Sequence, residues 1–362
     1  MDPVISDTPR TGEIPKVSVI VPARNEESSI GRCLQSLCKQ GGSFEIIVVD
    51  DHSTDDTAAR ARRYMNVNLI DADPLPAGWS GKCNACWTGA RQARGEWLLF
   101  TDADTAHSSS SIATALREAE QTGSSLLSYS PEQEVRGFWE RAVMPLVFAD
   151  LASTYSPKQV CDPASPAAAA NGQFLLISRQ TYDAIGGHAA VAADILEDVA
   201  IARLVKQSGR RLHFRVGKGI VRTRMYQGLR QMADGWTKNL ALLFPDPNKL
   251  ARARMFEFDF SVGLLILATA ELLFSRTIAA ALALVSLISF AHIYLRVRKA
   301  HFALLSTFIS PLGLPVYAYL LRRSRLFHAQ GSVIWKGRTY SGTQASGDAT
   351  TRVATGVAEK DR

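Results

Sequence analysis

The sequence predicts an α/β fold, a mostly parallel sheet with helices on both faces, followed by C-terminal membrane helices. Three observations predict it. Strand and helix patterns alternate four times in roughly the first hundred residues. Acidic residues cluster where apolar strand runs end, the edge at which such sheets bind ligands. Hydropathy then changes at Met255, beyond which three apolar runs follow.

Val17-Ser18-Val19-Ile20-Val21 is a short β-branched run, the pattern of a strand buried on both faces. Pro22-Ala23-Arg24-Asn25-Glu26 turns the chain, and Glu27 to Lys39 sets Ile30, Cys33, Leu34 and Leu37 at helical spacing. Phe44 to Val49 reads as a second strand. It ends in Asp50-Asp51-His52-Ser53-Thr54-Asp55-Asp56-Thr57, whose hydroxyls favour a helix start. Val67 to Ile70 is a third strand, Lys82 to Ala93 a helix stopped at Gly95, and Trp97 to Phe100 a fourth strand.

Thr101-Asp102-Ala103-Asp104 follows at once. On an extended backbone, residues i and i+2 face one side, so Asp102 and Asp104 would present two hard oxygen ligands together. Such a pair suits Mg²⁺ or Mn²⁺, with open positions for a diphosphate to complete. No Gly-x-Gly-x-x-Gly follows the first strand, which disfavours a dinucleotide fold.

Val17 to Pro22, Val49-Asp50-Asp51-His52-Ser53-Thr54-Asp55 and Thr101-Asp102-Ala103-Asp104 resemble the nucleotide-sugar half of family 2 glycosyltransferases of the Rossmann-like GT-A fold. Other segments resemble the branch containing hopene-associated and carotenoid-acid glycosyltransferases. They are Pro76-Ala77-Gly78-Trp79-Ser80-Gly81-Lys82, Ala170-Asn171-Gly172-Gln173, Tyr182 to His188, Leu196-Glu197-Asp198, Gly235-Trp236-Thr237-Lys238-Asn239 and Trp335-Lys336-Gly337-Arg338. The resemblance runs from about Lys16 to Tyr340. It implies a GT-A catalytic domain over residues 17–254, with a nucleotide-sugar-binding half at 17–130 and an acceptor half at 131–254.

The resemblance also implies roles. Asp51 would accept a hydrogen bond from a uracil N3–H, with Pro22, Ala23 and Asn25 lining the same pocket. Asp50 would assist there or cap the following helix. Lys82, at a helix start, favours phosphate oxygens together with the helix amino end. Asp102 would face ribose or metal, and Asp104 the metal. Glu197 and Asp198 open an amphipathic helix, where acids also complement the helix dipole. By similarity Asp198 is the catalytic base, with Asp194 one turn earlier as the fallback. His188, after a glycine pair, would titrate near neutrality beside the sugar or sit in a surface turn. Asn171, Gln173, Trp236 and Lys238 are expected at the donor sugar or acceptor, with Trp236 as an apolar platform or as core.

Many processive members carry Gln-x-x-Arg-Trp after the base. Here the stretch is Gln231-Met232-Ala233-Asp234-Gly235-Trp236, without the Arg, which favours single transfer.

Composition agrees with membrane attachment. Of 362 residues, 46% are hydrophobic. Ile278 to Leu295 and Phe302 to Leu321 are apolar runs long enough to cross a bilayer, whereas Phe260 to Phe274 is short and carries Glu271. The basic clusters Arg296-Arg298-Lys299 and Arg322-Arg323-Arg325 both ask for the cytoplasmic side. One span between them cannot satisfy both. A bend at Pro311-Leu312-Gly313-Leu314-Pro315 would, as would a first run that does not span. Membrane helices are thus expected within 255–325. Residues 1–16 have no apolar run and read as a flexible start without a signal peptide, leaving the catalytic domain on the cytoplasmic face of the inner membrane. Residues 326–362 form a C-terminal segment, expected to be disordered after about 341.

The charge of +7 lacks an aromatic-interleaved basic motif and gives no nucleic-acid signal. Basic residues from Arg222 to Arg254 precede the apolar half instead, either to be held by an anionic leaflet or as a solvated basic face. Five cysteines, an odd count, argue for reduced thiols, and Cys83 and Cys86 fit small core residues better than a metal pair. The expected function is a membrane-bound, metal-dependent inverting transfer of one sugar from a nucleotide diphosphate sugar, of uridine type, to a hydrophobic or lipid-linked acceptor. The alternatives are a processive polysaccharide synthase and an inactive nucleotide-sugar-binding subunit.

Overall fold

The computed structural model describes residues 14–331, 333–335 and 338–340. The expectations for most of the N-terminal segment and for the tail after 341 lie outside the described residues.

The first half is β1 (Val17–Ala23), α1 (Ile30–Leu37), β2 (Phe44–Asp50), α2 (Thr57–Ala61), β3 (Val67–Asp71), α3 (Gly81–Gln92), β4 (Trp97–Phe100), β5 (Thr105–His107) and α4 (Ser111–Thr122). Next come β6 (Leu126–Ser130), β7 (Glu132–Gln133), α5 (Phe138–Thr154), α6 (Pro157–Cys161), β8 (Leu175–Ser178), α7 (Arg179–Ala184), α8 (Glu197–Gln207), β9 (Leu212–Val216) and β10 (Val221–Thr223). Four long elements follow the short break after β10: α9 (Leu229–Leu243), α10 (Pro247–Glu271), α11 (Arg276–Arg298) and, after the six-residue α12 (Leu304–Ile309), α13 (Leu314–Ala329).

Seven strands form one sheet in the order β3-β2-β1-β4-β8-β6-β9. β1 pairs in parallel with β2 and β4, and only β8 runs against its neighbours. The β-branched run of β1 explains its central place: Val19, Ile20 and Val21 are fully buried, between helices on both faces. The crevice beside β1 therefore receives the end of β1 with Pro22 and the loops after β2 and β4, which carry Asp51 and Asp102.

β4 stops at Phe100, and the two acids beyond it do not sit on an extended strand. Residues 101–104 turn instead, with the Thr105 N–H bonded to the Asp102 carbonyl at 3.2 Å. Thr105 Oγ1 reinforces the turn by donating to the same carbonyl at 2.8 Å. A turn, and not strand pleating, aims Asp102 and Asp104.

The C-terminal helices pack on α5 and α9. α10 and α11 form a hairpin joined by Ser261 and Ser289 hydroxyls 2.6 Å apart and by Ser286 donating to the Ser261 carbonyl at 2.8 Å. At its root, Arg296 reaches Asp150 of α5 at 2.8 Å and Glu257 at 2.7 Å, while Arg254 bonds Asp150 at 2.9 Å and also Glu257. Away from the root the hairpin exposes Leu265, Ile266, Leu267, Leu273, Phe274 and Leu287.

Among the described residues, two segments are long and apolar enough to cross a membrane, Arg276–Arg298 and Leu304–Ala329. They differ in setting. Only 17% of the first apolar window is buried, against 50% of the second. The second is also broken, as the proline pair suggests: a 3-10 turn at Ser310–Gly313 separates α12 from α13. Gly313 lies against α5 so closely that a Cβ there would sit 2.2 Å from the Ala142 carbonyl oxygen. α13 then runs back along α9, where the Ser324 hydroxyl donates to the Thr237 carbonyl at 2.7 Å and Arg323 pairs with Asp234 at 3.3 Å. Both basic clusters thus contact the catalytic half, Arg296 through Asp150 and Arg323 through Asp234.

Candidate active site

A cavity of 690 Å³ opens over the carboxyl ends of the strands and extends to the C-terminal helices. Its polar end is made by loops. Pro22 and Ala23 end β1 at the edge of these loops, Asp51 follows β2, and the Asp51 N–H bonds the Ala23 carbonyl at 2.8 Å. Arg24 ties these loops by donating to the Asp51 carbonyl at 2.5 Å.

Lys82 enters from the first turn of α3, whose start is capped by Ser80 accepting the Cys83 N–H at 3.1 Å. Its Nζ lies 2.7 Å from Asp102 Oδ1 and 2.8 Å from Glu197 Oε1. Burial alone would lower the Lys82 pKa, but Asp102 and then Glu197 outweigh it and hold the ammonium well above its ordinary value. The cation therefore joins an acid after β4 to an acid at the start of α8. On the same helix, burial pushes the Cys83 thiol up to about 12 and raises Cys86 as well. Both are protonated core residues, and all five cysteines are free.

Asp198 lines the cavity next to this ion triad. Oδ2 accepts the Gly172 N–H at 2.8 Å, and Oδ1 accepts the Val199 N–H at 2.8 Å. Burial, and then the neighbouring Glu197 charge, raise its pKa to about 6, against partial opposition from Lys82 and the two N–H groups. That is a carboxylate tuned towards the range in which general bases work. Asp194, the fallback, is not among the residues lining the cavity, and its carbonyl accepts from the Cys83 thiol.

Gly172 is a site residue whose role the sequence did not disclose. A Cβ there would lie 2.8 Å from Lys82 Nζ, 3.2 Å from Glu197 Oε1 and 3.6 Å from Asp198 Oδ2. Only a bare backbone lets the three charged groups converge. The Asn-Gly-Gln string was the available signal, without a reason attached.

Asp104 faces Gln173, whose Nε2 is 3.4 Å from both carboxylate oxygens. Asn171 and Gln173 both line the cavity, as expected of them. Asp102 and Asp104 are hard oxygen donors of the kind Mg²⁺ and Mn²⁺ prefer, and the Lys82 ammonium already stands as a cation against Asp102. Among the described residues no group of three or more His, Cys, Asp or Glu could hold an ion. The residues fit a metal only as a partial set that substrate oxygens complete.

Three expected site residues are placed otherwise. His188 is 3% exposed, stacks edge-on against Phe100 at 4.6 Å and bonds the Tyr182 hydroxyl at 2.9 Å. Burial lowers its pKa to about 3, so it is a neutral core imidazole and neither a titrating sugar contact nor a surface residue. Asp50 is buried behind the pocket loop and accepts the Ser53 N–H at 3.3 Å, holding the turn before α2, whose N-cap position is taken by Asp56 and not by Asp50. Asn25, at φ 52°, accepts the Thr54 N–H at 2.9 Å and lines a neighbouring 570 Å³ cavity.

The far end of the cavity is apolar. Phe148 and Leu151 of α5, Tyr155 just past its end, Trp236 of α9 and Phe302 after α11 form its wall. Trp236 is 2% exposed and packs edge-on to Tyr226, as a core residue that also borders the cavity. Lys238 also lines the cavity, and its pKa is lowered, chiefly by burial.

The chain is 28% identical over 333 residues to a 4,4'-diaponeurosporenoate glycosyltransferase of Staphylococcus aureus strain USA300, covering 90% of this chain and 88% of that protein. Among solved structures it matches the mannosyltransferase PcManGT from Pyrobaculum calidifontis in complex with GDP-Man and Mn²⁺. The TM-score is 0.52 at 18% identity, over 87% of both chains, a likeness of fold. The model of the family "Glycosyl transferase family 2" matches residues 18–199, half of the chain. With strand-end acids, a bracketed lysine and a buried carboxylate on one GT-A sheet, the chain belongs to glycosyl transferase family 2, and it is a glycosyltransferase.

Proposed function

We propose that this enzyme is membrane-bound and metal-dependent, and that it transfers one sugar, with inversion, from a uridine-type nucleotide diphosphate sugar to a hydrophobic or lipid-linked acceptor. The carrying observation is the cavity itself: charged at the strand ends, apolar towards the C-terminal helices, with Asp198 between.

The donor would lie over Pro22, Ala23 and Asp51, with its diphosphate at Lys82 and the α3 amino end, where backbone N–H groups favour anions. Asp102 and Asp104 would hold the divalent ion, which supplies Lewis-acid neutralisation of the departing diphosphate. The acceptor oxygen would come from the apolar side. Asp198, its two oxygens fixed by backbone N–H groups, takes the acceptor proton as that oxygen attacks the anomeric carbon opposite the leaving group. Glu197 acts at one remove by keeping Lys82 in place.

The staphylococcal relative is named for a carotenoid acid, which makes long polyene carboxylic acids the first acceptors to try. The exposed apolar face of the α10–α11 hairpin supports membrane attachment. The test is to incubate the full chain in vesicles with labelled nucleotide sugars and extract the lipid phase. One-sugar, lipid-soluble products are expected. A polymer, or donor binding without any transfer, would overturn the reading.

A further inference from the structure

Resting on that reading of the cavity, we propose that residues 299–303, with the first turn of α12, form a side portal through which the acceptor's apolar tail passes between bilayer and cavity. Three observations carry it. These residues belong to both surfaces at once: Phe302, Ala303, Leu305 and Ser306 line the cavity, while Leu304, Leu305 and Phe308 are 58%, 55% and 68% exposed on the outside. The loop directly continues α11, whose outer face is apolar, so the mouth opens where a bilayer would lie. Around it stand the exposed Arg298, Lys299 and His301, a rim suited to an anionic leaflet.

Volume points the same way. A 690 Å³ space is that of one ordinary ligand site. A nucleotide sugar and the head of an acceptor fill it, so a long tail has to leave. The polar end, lined by Asp51, Lys82 and Asp102, offers an apolar chain no favourable exit, whereas the 299–306 side does. His301 holds a left-handed φ of 59°, a conformation that costs energy and that proteins keep where the path of a loop matters.

The test uses the full chain in phosphatidylglycerol vesicles, the donor found active, and two acceptor probes: retinoic acid, which partitions into the bilayer, and the short, water-soluble sorbic acid. Ala303→Trp and Leu305→Trp should each slow transfer to retinoic acid about tenfold or more while leaving transfer to sorbic acid within about twofold. The sorbic acid rate also shows that the variants are folded. Equal losses on both probes, or no loss on either, overturn the portal. So does a wild type that uses sorbic acid but not retinoic acid. A wild type that glycosylates no acceptor removes the proposed activity, and the portal with it. As a second readout, a diazirine-bearing long-chain alcohol in the vesicles should label residues 299–308 and be competed by retinoic acid. Labelling confined to the hairpin tip contradicts the portal.

Discussion

The charged and apolar ends of the cavity are built in opposite ways. At the charged end, each functional group lies at a strand end or within a few residues of it: Pro22 in the last residues of β1, Asp51 after β2, Asp102 and Asp104 after β4. At the apolar end, the wall is assembled from α5, α9 and the α11–α12 loop, separated by scores of residues, and only α9 carries a motif, the Gly235 to Asn239 string. A local rule fixes the first, since a strand end must deliver its next residues to the sheet edge. Packing fixes the second. Substitutions at the charged end should therefore act on chemistry, and those at the apolar end on which acceptor is used.

The largest break in that contrast is expected from Asp198→Asn. On a hydroxyl acceptor it should lower kcat by about a thousandfold, with donor binding by calorimetry unchanged. On a carboxylic acid, whose proton is already gone at neutral pH, the loss should be much smaller. The ratio of the two losses thus reports which group the enzyme glycosylates. Next in size is Gly172→Ala. A new Cβ 2.8 Å from Lys82 Nζ displaces the ammonium, and misplacement on this scale costs about a hundredfold in kcat/KM. Unchanged kinetics would mean that the convergence of charges is incidental.

A smaller effect is expected from pH. Asp198 works deprotonated and its pKa is raised to about 6, so kcat on a hydroxyl acceptor should fall as pH drops through 6. The limiting slope is about tenfold per unit below it. The fall should vanish for a carboxylate acceptor. The smallest effect belongs to His188→Gln. It should cost about 1 kcal/mol of stability through the Tyr182 hydrogen bond while kcat stays within about threefold, as a thermal melt alongside the assay would reveal.

Much of the fold was legible because β-branched runs such as Val17 to Val21 admit few alternatives once helices flank them on both sides. The acids were legible for the same reason, although their geometry was not: Thr105 folds residues 101–104 into a turn through side-chain bonds that no periodicity reveals. His188 misled because a Gly-Gly-His string looks exposed. The burial comes from Phe100 and Tyr182, one of them on a distant strand. Gly172 escaped because its importance is an absence of atoms. The helix that bends at Gly313 was foreseen as one option. The close approach of Gly313 to the Ala142 carbonyl, which seats the bend on α5, leaves no periodic signal in the sequence.

The ionic root of the hairpin has a consequence for how such an enzyme meets its lipid. Arg254 and Arg296 grip the same Asp150, so α10 leaves and α11 returns at a single height on α5. In a membrane-bound state, the elevation of the chemistry above the leaflet would be set by this clasp rather than by how far the two rods plunge. Trimming one turn from each rod near Leu272 should then weaken partition into thick bilayers yet spare turnover once bound. Arg296→Met, which loosens the clasp, should do the reverse. Vesicle flotation and rate, measured side by side, distinguish the two.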